Sequence, residues 1–432
     1  MNFVAGVRRE DKNEWERRVP ITPDHVRQLR KKHNITTILQ SSNIRIFPDN
    51  DYISSGAIIK EDLSSSNVIF GIKEIPLDLF VQQCTYVFFP HVIKGQKQNM
   101  PMLKKMMELG CNLIDYEKIT DSNNRRLIFF GHHAGIAGMI DSLWAFGQRI
   151  KLEGYDSPLS EIKQTIQYPD LENAKSNLKE IGAKIRKYGI PKTLSPIVIG
   201  IVGYGNVSLG AQEILRSLPI EEISPDQLKE IHNNHSRNLI YKVIFKEQNI
   251  VEPTSPNAVF DLQTYYDKPY LFKGTFREYL PYLSIVMNCI YWDEKYPRFL
   301  TKNYFKKNYS KDIKLKVVGD ISVDINGAVE FTEKITTPDN PVFIYNPING
   351  KIKDGFIGNG IAVVAVDNLP CELPKESSIE FSNSLINLIP LIVKTDYSVE
   401  FEKLDLPPEV KKAVILYHGE LTPNYLYINK YL

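Results

Sequence analysis

Short runs rich in Val, Ile, Phe and Tyr alternate with polar segments of helical periodicity through the first third of the chain. They predict strands at Phe3–Val7, Thr36–Gln40, Val68–Lys73, Thr85–Pro90, Asn112–Tyr116 and Arg126–Phe130. Helices are predicted to start after Pro23, around Glu61 and around Asn99. Strands that alternate with helices indicate a mostly parallel sheet, because parallel neighbours need crossover connections. From Ala134 to Ile150 the pattern is that of a longer helix, with Ile136, Ile140, Leu143 and Trp144 on one face. Its first turn carries Ala134, Gly135, Ala137 and Gly138, which leaves room for another backbone or a ligand. Further strands are predicted at Ile197–Val202, Ser284–Met287 and Lys314–Gly319, while Glu221–Asp226 and Val251–Asn257 read as turns or insertions. After Leu369-Pro370, Ser377 or Ser378 is expected to cap a helix carrying Ile379, Leu385, Ile386 and Ile389, which Pro390 would end or kink.

With 432 residues the chain is too long for one ordinary core and comfortable as two α/β domains. Lys plus Arg (53) nearly balances Asp plus Glu (51), so a general field for nucleic acid or membrane is not expected, though local basic clusters can grip small anions. Cys84, Cys111, Cys289 and Cys371 are scattered without a Cys-x-x-Cys pair, which argues against a disulfide framework or structural zinc and for a reducing compartment. Apolar stretches such as Leu385–Val393 fall far short of the roughly 20 residues of a membrane span. The opening MNFVAGVRREDK has neither a signal core nor an Arg/Ser-rich presequence, so the expected location is the cytoplasm, or the mitochondrion if the chain is a processed or excised domain. His232 and His235 sit in a polar HNNH stretch that reads as a loop, and no metal site is expected.

The run Ile197–Val202 leads into Gly203-Tyr-Gly205-Asn206-Val207-Ser208-Leu-Gly210, and a helix follows with Val207, Ala211, Ile214, Leu215 and Leu218 on one face. Gly203 permits a tight turn and Gly205 leaves room for a pyrophosphate against the helix N-terminus. Ser208 takes the third position of the glycine pattern, where Gly or Ala is usual. The rival explanation is a tight βα turn without ligand; the strand–turn–helix setting favours a dinucleotide held by Gly203, Gly205, Asn206, Val207 and Ser208. Glu221 and Glu222 lie near the distance at which an acid would meet the ribose hydroxyls, which favours NAD(H), with exposed loop acids as the alternative.

The expected architecture is therefore α/β, two Rossmann-like domains with mostly parallel sheets and an active-site cleft between them. A substrate domain would span 1–135 and a dinucleotide-binding domain 136–365, and a C-terminal segment, 366–432, would return to the first domain. Ligands bind beyond the carboxyl ends of parallel strands. There the first domain presents Arg8 and Arg9, Lys73 and Glu74, His91, and Glu117, one group per predicted strand. Arg17 and Arg18 add cations suited to substrate carboxylates, and Lys73 or His91 would handle protons. Ordinary surface pairing among Glu14, Glu16, Arg17 and Arg18, and a purely structural His91, are the alternatives.

The run Val7-Arg-Arg-Glu-Asp-Lys-Asn-Glu-Trp-Glu-Arg-Arg-Val-Pro-Ile-Thr-Pro23 resembles the opening of lysine–2-oxoglutarate reductase (lysine-forming saccharopine dehydrogenase) domains. So do Gly71-Ile-Lys-Glu74, Phe89-Pro-His-Val-Ile-Lys94, Leu113-Ile-Asp-Tyr-Glu-Lys118, Gly203-Tyr-Gly-Asn-Val-Ser208, Tyr291-Trp292, Gly319-Asp-Ile-Ser-Val-Asp324 and Val366-Asp-Asn-Leu-Pro370. The likeness runs in order along nearly the whole chain and is greater to the reductase half of bifunctional aminoadipic semialdehyde synthase than to the compact fungal enzyme. Alanine dehydrogenase and the transhydrogenase substrate domain are more distantly similar. The resemblance implies reductive condensation of L-lysine with 2-oxoglutarate to saccharopine in lysine metabolism. It implies Lys73 and His91 as the acid–base pair, Glu74 and Glu117 as tuning groups, Arg18 on a substrate carboxylate, and Asp320 beside the nicotinamide end of the cofactor. It also implies NADP(H), against the NAD(H) suggested by Glu221 and Glu222, and NADP(H) is the preferred expectation. A saccharopine-oxidising partner or domain is expected, and a homo-oligomer is left open. The rival functions are an alanine-dehydrogenase-like reaction and a catalytically inactive NAD(P)-sensing module.

Overall fold

Apolar runs too short for helices become strands, and amphipathic segments between them become crossover helices. The computed structural model describes residues 3–310 and 313–432. Two units emerge, one of Met1–Phe130 with Pro374–Leu432 and the other of Gly131–Leu373.

The first unit opens with β1 (Phe3–Val7), α1 (Pro23–His33), β2 (Ile35–Leu39), α2 (Asp49–Ser54) and β3 (Ile58–Ile59). It continues through β4 (Val68–Phe70), β5 (Thr85–Phe88), α3 (Met100–Glu108) and β6 (Asn112–Asp115). Helix α1 has Pro23 and Asp24 in its first turn, Arg30 to His33 in its last, and Asn34 at φ 54° as its left-handed stop. The second unit contains α4 (Gly131–Leu152), α5 (Leu171–Tyr188), β7 (Val198–Val202), α6 (Asn206–Leu215), β8 (Ile220–Glu222) and β9 (Ile240–Phe245). After a two-stranded ribbon of β10 (Val251–Pro253) and β11 (Phe272–Gly274) come β12 (Ile285–Asn288), β13 (Val317–Asp320), β14 (Val342–Tyr345), β15 (Ile352–Asp354) and β16 (Ile361–Val364). The chain then completes the first unit with helices Pro374–Leu385 and Ile389–Lys394 and strands β17 (Val414–Tyr417) and β18 (Glu420–Leu421).

The first sheet has the order β18-β17-β6-β5-β4-β1-β2-β3, parallel from β1 to β6 and antiparallel at β17 and β18. The second runs β15-β14-β16-β13-β12-β7-β9-β8, with β14 and β15 its antiparallel edge. Strand β7 is buried throughout: Ile199 and Ile201 pack towards α4, α5 and α6, while Val198 and Val202 face a cluster with Phe245, Phe276 and Phe343. The chain winds outward in both directions from one point in each sheet, between β1 and β4 and between β7 and β12, and such a switch point opens a crevice beyond the carboxyl ends.

Several predicted elements differ. Arg126–Phe130 forms no sheet strand; Arg126 makes only a bridge to Thr120, and the edge beside β6 is taken by β17. No helix forms around Glu61, because Asp62 Oδ1 accepts from Ser64 N at 2.8 Å and turns the backbone. Ser377 and Ser378 lie buried inside the helix Pro374–Leu385 rather than capping it, and Pro390 stands in the first turn of the next helix. The predicted turn at Glu221 and Glu222 belongs to β8.

Candidate active site

At the switch point of the first sheet, Arg8 follows β1 and the Gly71-Ile72-Lys73 segment follows β4. Arg8 N donates to Phe70 O at 3.1 Å. Glu10, 6% exposed, reaches across and accepts from Ile72 N at 2.7 Å and Lys73 N at 3.0 Å. One carboxylate thus satisfies two amides that have run out of strand partners. Burial pushes the Glu10 carboxyl up to about 7, against the opposing charge of Arg8. The Arg8 guanidinium is held by both oxygens of Asp11 at 3.0 and 2.9 Å.

The Lys73 amine is largely withdrawn from water. Burial lowers its pKa, and the charges of Arg18 and Lys12 lower it further, against Glu16 and Glu74. Among the described residues no carboxylate lies within ion-pair distance of it. The next residue, Glu74, accepts from Lys12 Nζ at 2.8 Å with one oxygen and meets His91 Nδ1 at 2.7 Å with the other. Burial alone would raise the Glu74 carboxyl, but the hydrogen bond and charge of His91, together with Lys12, hold it well below the usual carboxylate range. His91 follows β5 with φ +47°, an uncommon left-handed conformation for a side-chain-bearing residue. Its carbonyl accepts from Asn99 Nδ2 at 3.0 Å and its ring stacks on Phe89, centroids 6.1 Å apart.

Arg18 and Glu16 are buried together, with Nε–Oε1 at 2.7 Å and a second contact, Nη2–Oε2, at 2.6 Å. The Arg18 guanidinium also lies 4.1 Å from the Phe130 ring centroid. The structure therefore joins Lys12, Glu74 and His91 in one hydrogen-bonded chain with Lys73 adjoining, and pairs Arg18 with Glu16. Glu117 stands apart from that chain. Its carboxylate pairs with Arg126 and its amide donates to Asp115 Oδ1 at 2.8 Å.

At the switch point of the second sheet, β7 ends at Gly203, whose φ is +103°. A Cβ there would meet Ile290 Cγ2 at 2.8 Å and Cys289 O at 2.9 Å, so the turn needs glycine. A Cβ on Gly205 would meet nothing within 4 Å, which leaves open space at the start of α6. Gly205 caps α6 without any side-chain hydrogen bond, so the amides of Asn206, Val207 and Ser208 open the helix free of side-chain capping. Open space before such a helix end fits a dinucleotide pyrophosphate. Close helix packing comes not from Ser208, whose hydroxyl takes Gln212 Nε2 at 3.1 Å, but from glycines at two other places. Cβ atoms on Gly135 and Gly210 would collide with the carbonyls of Val207 and His132, so α4 and α6 touch backbone to backbone. Asp320 ends β13, 1% exposed, and accepts from Asn288 Nδ2 at 2.7 Å and Thr332 Oγ1 at 2.6 Å; burial pushes it up to about 6.

The acidic pair considered for the ribose lies elsewhere. Strand β9 separates β8 from β7, and Glu222 is bound to Lys242 at 2.6 Å. The strand beside β7 is followed instead by Lys246 and Glu247. Glu247 accepts from Tyr266 Oη at 2.8 Å and Tyr204 Oη at 3.4 Å, and Lys246 Nζ lies 5.8 Å from the Tyr204 ring centroid. Sequence reasoning passed over Glu10, Lys246 and Glu247, because only the strand order brings them to the crevices.

No helix among the described residues is long and apolar enough to cross a membrane. No cluster of His, Cys, Asp and Glu among them suits a metal ion. All four cysteines are buried free thiols.

Residues 6–137 match the alanine dehydrogenase/PNT N-terminal domain, and residues 295–424 match the alanine dehydrogenase/PNT C-terminal domain. An alpha-aminoadipic semialdehyde synthase of Arabidopsis thaliana is 37% identical over 99% of this chain and 41% of its own length. The mitochondrial alpha-aminoadipic semialdehyde synthase of Rattus norvegicus is 33% identical over 99% of this chain and 48% of its own length. The chain thus spans less than half the length of either relative. A solved L-alanine dehydrogenase shares the fold at a TM-score of 0.64, with 16% identity and 99% of each chain covered.

Proposed function

The chain belongs to the alanine dehydrogenase/PNT family and aligns with alpha-aminoadipic semialdehyde synthases along nearly its whole length, and on that premise we propose that it is a lysine–2-oxoglutarate reductase. The observation that carries the reading is the grouping of a desolvated Lys73 beside the Lys12–Glu74–His91 chain at the carboxyl ends of β4 and β5. An amine adding to a ketone needs one group to remove a proton from nitrogen and another to return a proton to the departing oxygen.

In this proposal Lys73 Nζ, its pKa lowered by burial, takes a proton from the ε-ammonium of lysine. The freed amine adds to the ketone carbon of 2-oxoglutarate. Glu74 occupies His91 Nδ1, which leaves Nε2 to protonate the carbinolamine hydroxyl as it leaves as water. Nicotinamide, when bound, supplies the hydride that completes reduction of the imine carbon to saccharopine. Glu10 fixes the Lys73 backbone amide, and Arg18 would meet a substrate carboxylate in addition to its pairing with Glu16. Gly203, Gly205 and the first amides of α6 would hold the pyrophosphate, with Asp320 placed at the nicotinamide end. Glu117, paired with Arg126 and outside the Lys12–Glu74–His91 chain, would serve as a tuning group only indirectly.

For the cofactor we propose NADP(H). Lys246, just after the strand beside β7, offers the cation a 2′-phosphate needs, while the carboxylate of Glu247 is engaged by two tyrosine hydroxyls. Saccharopine oxidation would fall to a partner or a further domain. The test is oxidation of NADPH by the purified chain with lysine plus 2-oxoglutarate, repeated with NADH, with each substrate omitted, and with pyruvate plus ammonia. Turnover that requires both lysine and 2-oxoglutarate supports the reading. Turnover with pyruvate and ammonia alone replaces it with an alanine-dehydrogenase-like reaction, and nucleotide binding without turnover replaces it with a sensor.

A further inference from the structure

The second unit has a cavity of about 1120 Å³ at the end of its sheet opposite the glycine turn. Its wall includes Ser195, just before β7, Ser284, just before β12, Lys316, just before β13, and Asn359, just before β16. These are the amino ends of the strands whose carboxyl ends carry Gly203 and Asp320. A five-residue strand is about 17 Å long, so the cavity and the dinucleotide crevice are separate places.

The charge in the cavity is one-sided. Among the described residues, the cations Arg149, Lys314 and Lys316, with His232, line it with one carboxylate, Glu153. Glu153 is already shared, at 3.1 Å from Lys316 and 3.2 Å from Arg149. Arg149 is further tied to the Phe356 carbonyl at 2.6 Å. Lys314 has no carboxylate partner among the described residues, and its charge depresses the pKa of neighbouring His232 after burial has done so. Burial lowers the Lys314 ammonium itself to about 8, the mark of a cation withdrawn from water without a counter-charge. The Ser195 hydroxyl is buried in the same wall with no hydrogen-bond partner.

We propose that this cavity is a binding site for a small molecule carrying at least two negative charges, with the Lys314 ammonium as its counter-charge and the Ser195 hydroxyl as a further donor. The volume, somewhat above that of ordinary ligand pockets, has room for a multi-atom dianion rather than only a lone ion. Carboxylate and phosphate groups share the chemistry required: strong acceptors that complete an ammonium and a hydroxyl.

Calorimetric titration of the full chain with citrate and with inorganic pyrophosphate tests this at pH 7, with saturating nicotinamide dinucleotide present so that the glycine turn is filled, and with sodium chloride at matched ionic strength as the control. The expected result is saturable binding of at least one probe, weakened tenfold or more by Lys314→Met and retained by Lys314→Arg. Binding of citrate alone identifies a carboxylate occupant, binding of pyrophosphate alone a phosphate occupant, and binding of both a site that reads charge. The proposal is overturned if neither probe gives saturable heat beyond the salt control, or if a folded Lys314→Met chain binds as the parent does. Should Lys314→Met fail to fold, Ser195→Ala is titrated in its place, and unchanged affinity there removes Ser195 from the site.

Discussion

Glu74 Oε1 stands 2.7 Å from His91 Nδ1, so the imidazole is oriented by a carboxylate that neighbours Lys73 in sequence. The same carboxylate is one of the charges that raise the Lys73 pKa against burial. Glu74→Gln therefore has a signed consequence. Without that charge the Lys73 pKa falls further, and the acid-side limb of a kcat/KM profile that reports Lys73 deprotonation moves to lower pH. Turnover should drop about tenfold because a neutral amide orients the imidazole less firmly. Lys73→Met and His91→Gln should each cost about 10²-fold or more in kcat. A Glu74→Gln profile superimposable on the parent would remove Glu74 from the acid–base group.

The two glycines of the nucleotide turn should separate folding from binding. Gly205→Val adds a side chain where a Cβ meets nothing within 4 Å, at a φ of −79° that any residue adopts. The variant should melt with the parent yet lose dinucleotide binding, measured by fluorescence titration. Gly203→Ala places a Cβ against Cys289 O at φ +103° and should lower the melting temperature. Equal effects of the two substitutions on stability would count against the assignment of Gly205 as the open side of the turn.

What the sequence made legible was local. The placement of Gly203 and Gly205 in a strand–turn–helix could be read because those elements are consecutive, and that of Lys73, Glu74 and His91 beyond strand ends because each follows an apolar run. Glu10 escaped notice because its work is done 62 and 63 positions away, at the amides of Ile72 and Lys73. Glu221 and Glu222 misled for the converse reason. Their distance from the glycine turn is right, but β9 comes between β8 and β7, and the residues that follow the strand beside β7 are Lys246 and Glu247. Arg126–Phe130 has the composition of a strand, and the edge it would occupy is taken by Val414–Tyr417 from the far end of the chain.

Arg18 was expected to act chiefly on substrate, and its surroundings add a structural duty. It and Glu16 have side-chain exposures of 1% and 0% and make a double hydrogen bond. Breaking a buried ion pair by removing one partner costs about 3–5 kcal/mol. Arg18→Ala should therefore lower the denaturant midpoint as well as raise KM for a substrate. Glu16→Gln combined with Arg18→Met should recover much of the stability without recovering KM. An Arg18→Ala variant of unchanged stability and unchanged KM would exclude both duties.

Glu10 gives the unit a pH dependence of definite sign. Its carboxyl is pushed up to about 7 in the fold from an ordinary 4.5, chiefly by burial. Between those values the folded state holds a proton that the unfolded chain has released. Stability from this group is fully present below pH 4.5 and is lost as pH rises to 7, after which the loss is constant. A shift of that size corresponds to roughly 3 kcal/mol. Glu10→Gln keeps one carbonyl oxygen to accept from Ile72 N, loses the second acceptor that meets Lys73 N, and cannot ionise, so it should lower stability at low pH and flatten the decline. Urea unfolding of both proteins at pH 5, 6, 7 and 8 measures it. The variant should gain on the parent as pH rises, with most of the gain reached by pH 7 to 8. A difference between the two that stays constant from pH 5 to pH 8 would mean that Glu10 is ionised in the fold throughout, and that Arg8 rather than burial governs it.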